Sequence, residues 1–183
     1  SWKGTDRIIA TYEGSKMISI INQWASSGTW TNSWRGSMNY AGNNLTEYYV
    51  DYWSSGSWAK DFKIVNSYNS SNQLTSEKHM YWNSGDYTND YRVLHNYDQG
   101  VRINRIEQDW DGSNWYYNYR EEYEYLNGKV NRVIASNWDG SQFQISARLN
   151  YNNNSYGQPT VAGIDEYDGS GWIPAANNTV INF

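Results

Sequence analysis

The sequence predicts an all-β protein, an antiparallel up-and-down meander of about thirteen strands made from six hairpin repeats. Three observations lead there. The first is composition: 11 Trp and 18 Tyr against 3 Phe and 2 Pro, in a chain of 183 residues that is only 38% hydrophobic. Aromatic side chains favour a pleated, half-buried surface, while Gly and Asn favour tight turns. The second is a set of three aromatic columns running the length of the chain. One contains Tyr12, Tyr40, Tyr68, Tyr97, Tyr125 and, two residues early, Tyr151. Another contains Trp24, Trp53, Trp82, Trp110, Trp138 and Tyr167. The last contains Trp2, Trp30, Trp58, Tyr87, Trp115, Phe143 and Trp172, with every step 28 or 29 residues. The third observation is turn chemistry, Asp-Gly or Asn-Gly between alternating segments.

Each element follows from these signals. Trp2 to Tyr12 matches the second half of every later repeat, so the chain opens with a lone strand in register. Glu13-Gly14-Ser15 turns into a strand over Lys16 to Trp24, and Ala25 to Thr29 turns again. Strands follow over Trp30–Tyr40, Leu45–Trp53, Trp58–Tyr68, about Leu74–Trp82, Tyr87–Tyr97, Val101–Trp110, Trp115–Tyr125, Val130–Trp138 and Phe143–Tyr151. The whole of 1–183 reads as one repeat domain whose last unit, from about residue 152 to 183, is atypical. There Asn152 to Gly157 is polar, Pro159 stands near a strand start, and Pro174 falls inside the last strand, where proline belongs on an edge or at a bulge. No helix is expected. A sheet this wide must coil, close into a barrel, or persist as a single layer held by side-chain ladders.

Simple alternation then assigns the faces. Trp30, Trp34 and Met38, or Trp58, Phe62 and Ile64, share one face, and Thr31, Ser33 and Arg35 share the wet one. In the strands before these turns, Tyr48, Val50 and Tyr52 face opposite to Tyr49 and Trp53. That leaves apolar surface on which a ligand or second molecule could sit. A basic ladder (Arg7, Arg35, Lys63, Arg92, Arg120, Arg148) lies five residues after each aromatic of the last column. Guanidinium stacking on neighbouring rings is its expected role. Simple hairpin pairing places Glu77 opposite Arg92, and Arg105 opposite Arg120.

Several function classes are excluded or disfavoured. The net charge of -5 with scattered cations argues against nucleic acid, and no apolar run reaches the length of a membrane span. No signal peptide is evident, and the absence of cysteine removes disulfides and thiolate chemistry. Four glycosylation sequons begin at Asn44, Asn69, Asn153 and Asn177; in an Asn-rich chain such matches arise by chance. His79 and His95 belong to no column and have no evident nucleophile. Asp109-Trp110-Asp111-Gly112 lacks EF-hand spacing and reads as a turn. Glu121, Glu122 and Glu124 occur in one repeat and define no pair across a cleft. The expectation is a protein that is not an enzyme, with no catalytic residue, metal or cofactor.

Tyr123-Glu124-Tyr125-Leu126-Asn127-Gly128-Lys129-Val130, with Arg120 upstream, resembles the Arg-Tyr-x-Tyr-Asp-x-x-Gly-x-Leu core of YD (RHS-type) repeats. Asn96 to Val101 and Tyr40 to Thr46 are weaker copies. Trp-Asp-Gly-Ser-x-Trp over Trp110 to Trp115 is similar to a longer version in Bacteroidetes-type secreted surface proteins. The repeat here is 28 residues rather than about twenty, and the YD aspartate is mostly missing. The resemblance implies a secreted or surface-exposed chain of β-hairpins serving as a shell, stalk or adhesive scaffold. Two expectations follow: a non-catalytic structural or adhesive repeat protein that self-associates through edge strands into a fibre, or a multivalent module binding extracellular glycans through open Trp and Tyr.

Overall fold

A computed structural model of the chain describes residues 5–26, 28–154, 158–175 and 181–182. Thirteen strands follow one another in sequence order, each antiparallel to the last, in a sheet that is not closed. They are β1 (Asp6–Glu13), β2 (Lys16–Ser26), β3 (Thr29–Ala41), β4 (Asn44–Ser54), β5 (Ser57–Tyr68), β6 (Leu74–Asn83) and β7 (Asp86–Asp98). The second half comprises β8 (Val101–Trp110), β9 (Trp115–Leu126), β10 (Lys129–Trp138), β11 (Phe143–Asn153), β12 (Pro159–Tyr167) and β13 (Trp172–Pro174). A two-residue β14 (Ile181–Asn182) also pairs with β12. Trp2 lies outside the described residues. Pro174 ends β13, because proline has no N–H to continue a ladder. Backbone contacts divide the chain into two units, Ser1–Arg92 and Val93–Phe183, with the boundary inside β7.

Two kinds of turn join the strands. In the short kind both central residues adopt positive φ, as at Asn127 (53°) and Gly128 (75°), or the first alone does, as at Gly14 (60°) and Gly42 (57°); both forms match the right-handed twist of the flanking strands. In the longer kind an aspartate closes the turn. Asp111 Oδ1 accepts from the amides of Ser113 (2.8 Å) and Asn114 (2.7 Å), and Asp139 and Asp168 repeat the arrangement. These backbone donors hold the Asp111 and Asp168 carboxyls below the usual carboxylate range. At Asp139 the Gln144 amide contributes first and the turn amides add to it.

Beyond the turns, one residue of the returning strand bulges out of register. Trp53 pairs with Trp58 and Asp51 with Lys60, but Val50 then pairs with Phe62, so Asp61 is the extra residue. Ser33, Asn118 and Ser146 occupy the same place in their hairpins. Each bulge shifts the period of two by one and moves every later side chain to the other face. The simple face assignment therefore fails here. Trp30 shares a face with Arg35, whereas Trp34 and Met38 point the other way. The expected facing of Arg105 and Arg120 fails for the same reason: Arg105 stands opposite Glu121, and Arg120 opposite Ile106. Bulges also follow the other turns, at Thr46, Thr75 and Asn131. Bulge hydroxyls restore part of the interrupted bonding: Thr46, Thr75 and Ser146 donate to the carbonyls of Asn39, Ser67 and Ala135.

Trp24 departs from its column. It precedes Trp30 by six residues, whereas Trp53 precedes Trp58 by five, and it pairs with Thr31 on the face away from Trp30. Few apolar side chains are buried. Among the described residues they are Val50 in the first unit and Val93, Val133 and Ala135 in the second. Cohesion comes instead from ties between neighbouring repeats. The Tyr40, Tyr68 and Tyr125 hydroxyls donate to the carbonyls of Met17, Leu45 and Arg102, each 23 residues earlier. In the next repeat this position is held not by Tyr151 but by Asn153, whose amide donates to Val130 O, again 23 residues back.

Candidate binding face

One face carries the aromatic and basic columns. The edge-to-face pairs Trp53–Trp58, Trp82–Tyr87, Trp138–Phe143 and Tyr167–Trp172 have ring centroids 5.0–5.3 Å apart, and Trp110–Trp115 is a tilted pair at 5.0 Å. A cation from the preceding repeat covers five of the third-column rings. Arg7 lies 4.5 Å over Trp30, Arg35 4.9 Å over Trp58, Lys63 4.7 Å over Tyr87, Arg120 4.5 Å over Phe143, and Arg148 4.4 Å over Trp172. The Nε of Arg7, Arg35 and Arg148 also donates to the side chain directly opposite on the next strand, Gln23, Asp51 or Asp165. At Arg120 that opposite residue is Ser136, fully buried and too short to repeat the bond. Arg120 Nη2 meets Glu122 at 3.0 Å instead. The columned tryptophans are thus half-covered rather than open, Trp24 (45% exposed) and Trp30 (36%) being the most accessible.

The opposite face of the first unit is more open. Three cross-strand rows cross it: Trp34–Tyr52–Ala59, Gly36–Val50–Phe62–Tyr81, and Met38–Tyr48–Ile64–His79. Their rings line an open trough of about 470 Å³, with Val50 in its floor. Trp34, Tyr48, Tyr52 and Phe62 line it, and the bulge residues Ser33 and Asp61 supply its polar groups. Tyr52 is 45% exposed and Tyr81, beyond Phe62, 44%. Gly36 keeps the floor low, since a Cβ there would stand 2.6 Å from Tyr48 Cε2. The Tyr48 ring lies edge-on to Phe62 at 6.4 Å, and burial pushes the pKa of its hydroxyl up. The sequence had already placed Tyr48, Val50 and Tyr52 opposite Trp53. It missed Trp34 and Phe62, which only the bulges bring to this face.

On the corresponding face of the second unit, Glu121 accepts from Tyr123 (2.6 Å) and Tyr119 (3.3 Å), with Arg105 at 4.0 Å. Burial, and then Glu121, push Tyr119 up to about 12 and Tyr123 higher still. Arg105 also bonds Glu107, and Arg102 lies 4.6 Å over the Tyr123 ring. Glu122 and Glu124 lie on the ladder side with Arg120 and Arg132, so the glutamates of β9 are split between faces. His79 stacks on Tyr91 (4.0 Å, 15°), where burial pushes its pKa down, and His95 is buried with Arg102 3.5 Å from Nδ1. Asp109 accepts from Asn118 at 2.8 Å, and Asp111 closes its turn. Among the described residues no group of three or more His, Asp or Glu is placed to hold a metal. Among the described residues no helix is long and apolar enough to cross a membrane.

No family model matches the chain, and no curated protein does. Among solved structures, it is similar to a protein of unknown function from Bacteroides fragilis, with TM-score 0.55 and 14% identity over 64% of this chain and 92% of that one. A DUF3836 family protein from Bacteroides vulgatus matches at TM-score 0.40 and 22% identity, over 47% of this chain and 91% of that one. A second, from Parabacteroides distasonis, matches at 0.38 and 18%, over 46% and 85%. The first likeness concerns the fold alone.

Proposed function

We propose that the chain is a non-catalytic structural or adhesive repeat protein working outside the cell, secreted or surface-exposed. The observation that carries this reading is the use made of the repeated residues. Arg7, Arg35, Lys63, Arg120 and Arg148 each lie over the aromatic ring of the next repeat, and the column tyrosines tie one repeat to another. Repetition is spent on holding strands together, which suits a scaffold, while one face of the first unit stays open for contact. The YD-like turn at Tyr125-Leu126-Asn127-Gly128 belongs to the same reading, since Tyr125 is one of the tyrosines that tie the repeats. Assembly through strand edges is part of the proposal: every residue of β1 is exposed, with Ile8 at 63% and Tyr12 at 60%. Negative-stain electron microscopy beside size-exclusion chromatography tests it. Filaments with a subunit repeat near the sheet width support edge assembly. Discrete monomers at high concentration sink the fibre and leave a monomeric adhesive scaffold.

A further inference from the structure

We infer that the trough on the first unit's open face is a binding site for a neutral glycan. The inference rests on the adhesive reading above and gives it a ligand class. The apolar C–H face of a pyranose ring stacks on an aromatic ring, while its hydroxyls need nearby acceptors and donors. The trough supplies both. Trp34, Tyr48, Tyr52 and Phe62 surround Val50, with Ser33 and the exposed Asp61 among them. The polar pair is there because both residues are the extra residue of a bulge. Gly36 has no side chain to lift Tyr48 from the floor, so the ring lies low enough to leave depth for a ligand.

Charge selects among occupants. Among the described residues Asp61 is the one charged residue lining the trough, while Arg35, Lys60 and Lys63 cover rings on the other face. A phosphate backbone or a uronate would meet a carboxylate in a trough that no cation lines, whereas single-stranded nucleic acid needs a positive groove alongside stacking rings. A second copy or an apolar peptide covering the trough would have to strip water from Asp61 without pairing it. A neutral sugar does neither, because its hydroxyls can donate to the carboxylate.

The test is titration of the whole chain with maltohexaose, cellohexaose, xylohexaose and mannohexaose, with an oligogalacturonate as the charged probe. Binding is followed by tryptophan fluorescence and calorimetry, and sedimentation reports the oligomeric state. The expected result is saturable binding of at least one neutral oligosaccharide and none of the uronate. Trp34→Ala and Tyr52→Ala should each weaken it about tenfold or more, and Tyr116→Ala in the second unit should leave it unchanged. Tyr52→Ala and Asp61→Ala change exposed side chains, so they decide the matter if Trp34→Ala fails to fold. No binding by any neutral probe at millimolar concentration overturns the site. So does equal loss in Tyr116→Ala, or self-association that Tyr52→Ala abolishes. Cleavage of the bound sugar would instead sink the non-catalytic reading and leave the trough as the place where sugar binds.

Discussion

At Gly36 an added methyl group would stand 2.6 Å from Tyr48 Cε2 and 2.9 Å from Ile20 Cγ2, on a buried stretch of backbone. Overpacking of this kind costs roughly 1–3 kcal/mol. Gly36→Ala should therefore lower the unfolding free energy measured in urea by that much, and the loss should shrink in a Tyr48→Ala background, where only Ile20 resists. Additive losses would count against the contact. The second unit offers a test in base. Tyr119 and Tyr123 have raised pKa values because burial and Glu121 disfavour the phenolate. A raised folded-state pKa contributes stability below the ordinary tyrosine value of about 10. That contribution is lost as pH climbs from there through about 12 for Tyr119. Ultraviolet titration of tyrosinate should show late-ionising residues, and Glu121→Gln should bring them earlier. Ionisation of every tyrosine together in the ordinary range would sink this account.

At the scale of the hairpin, the bulge hydroxyls can be removed without changing shape. Thr46→Val and Thr75→Val each lose a bond to the carbonyl across the bulge, at 3.1 and 3.2 Å, and should cost about 1 kcal/mol by denaturant unfolding. The exposed Thr11→Val should cost less. The aspartate turns respond to acid. Their depressed carboxyls contribute stability above the unfolded aspartate pKa of about 3.9 and lose it as pH falls through the lower folded values. Asp111→Asn keeps the acceptor and removes the charge, so its melting temperature should fall less steeply with acid than that of the unmodified protein. Hairpins and turns were legible in the sequence because Gly and Asp chemistry and the aromatic columns set them locally. The faces were not, because a bulge is one unpaired residue inside an apparently regular strand. The trace it leaves is the odd interval between Trp30 and Arg35, which plain alternation would have placed on opposite faces. Trp24 left a clearer mark, six residues before Trp30 instead of five, and a slip of one turned it to the other face. Half of the trough escaped notice for the same reason: Tyr48, Val50 and Tyr52 were legible as surplus apolar surface, but Trp34 and Phe62 read as companions of Trp30 and Trp58.

Across the whole molecule, an open sheet gives each strand a different stake in stability. β1 is exposed along its length, while β10 carries Val133, Ala135 and the fully buried Ser136. Hydrogen exchange should release β1 amides first and β10 amides near the last; uniform protection would contradict this. The ties of constant span have a further consequence, one that concerns the gene. Tyr40, Tyr68, Tyr125 and Asn153 each reach a carbonyl 23 residues back, and none depends on how many repeats precede it. Unequal crossing-over that removes or duplicates one repeat's worth of codons would leave every surviving donor facing an acceptor of the same kind. Such a change of length would keep the ties between neighbouring repeats.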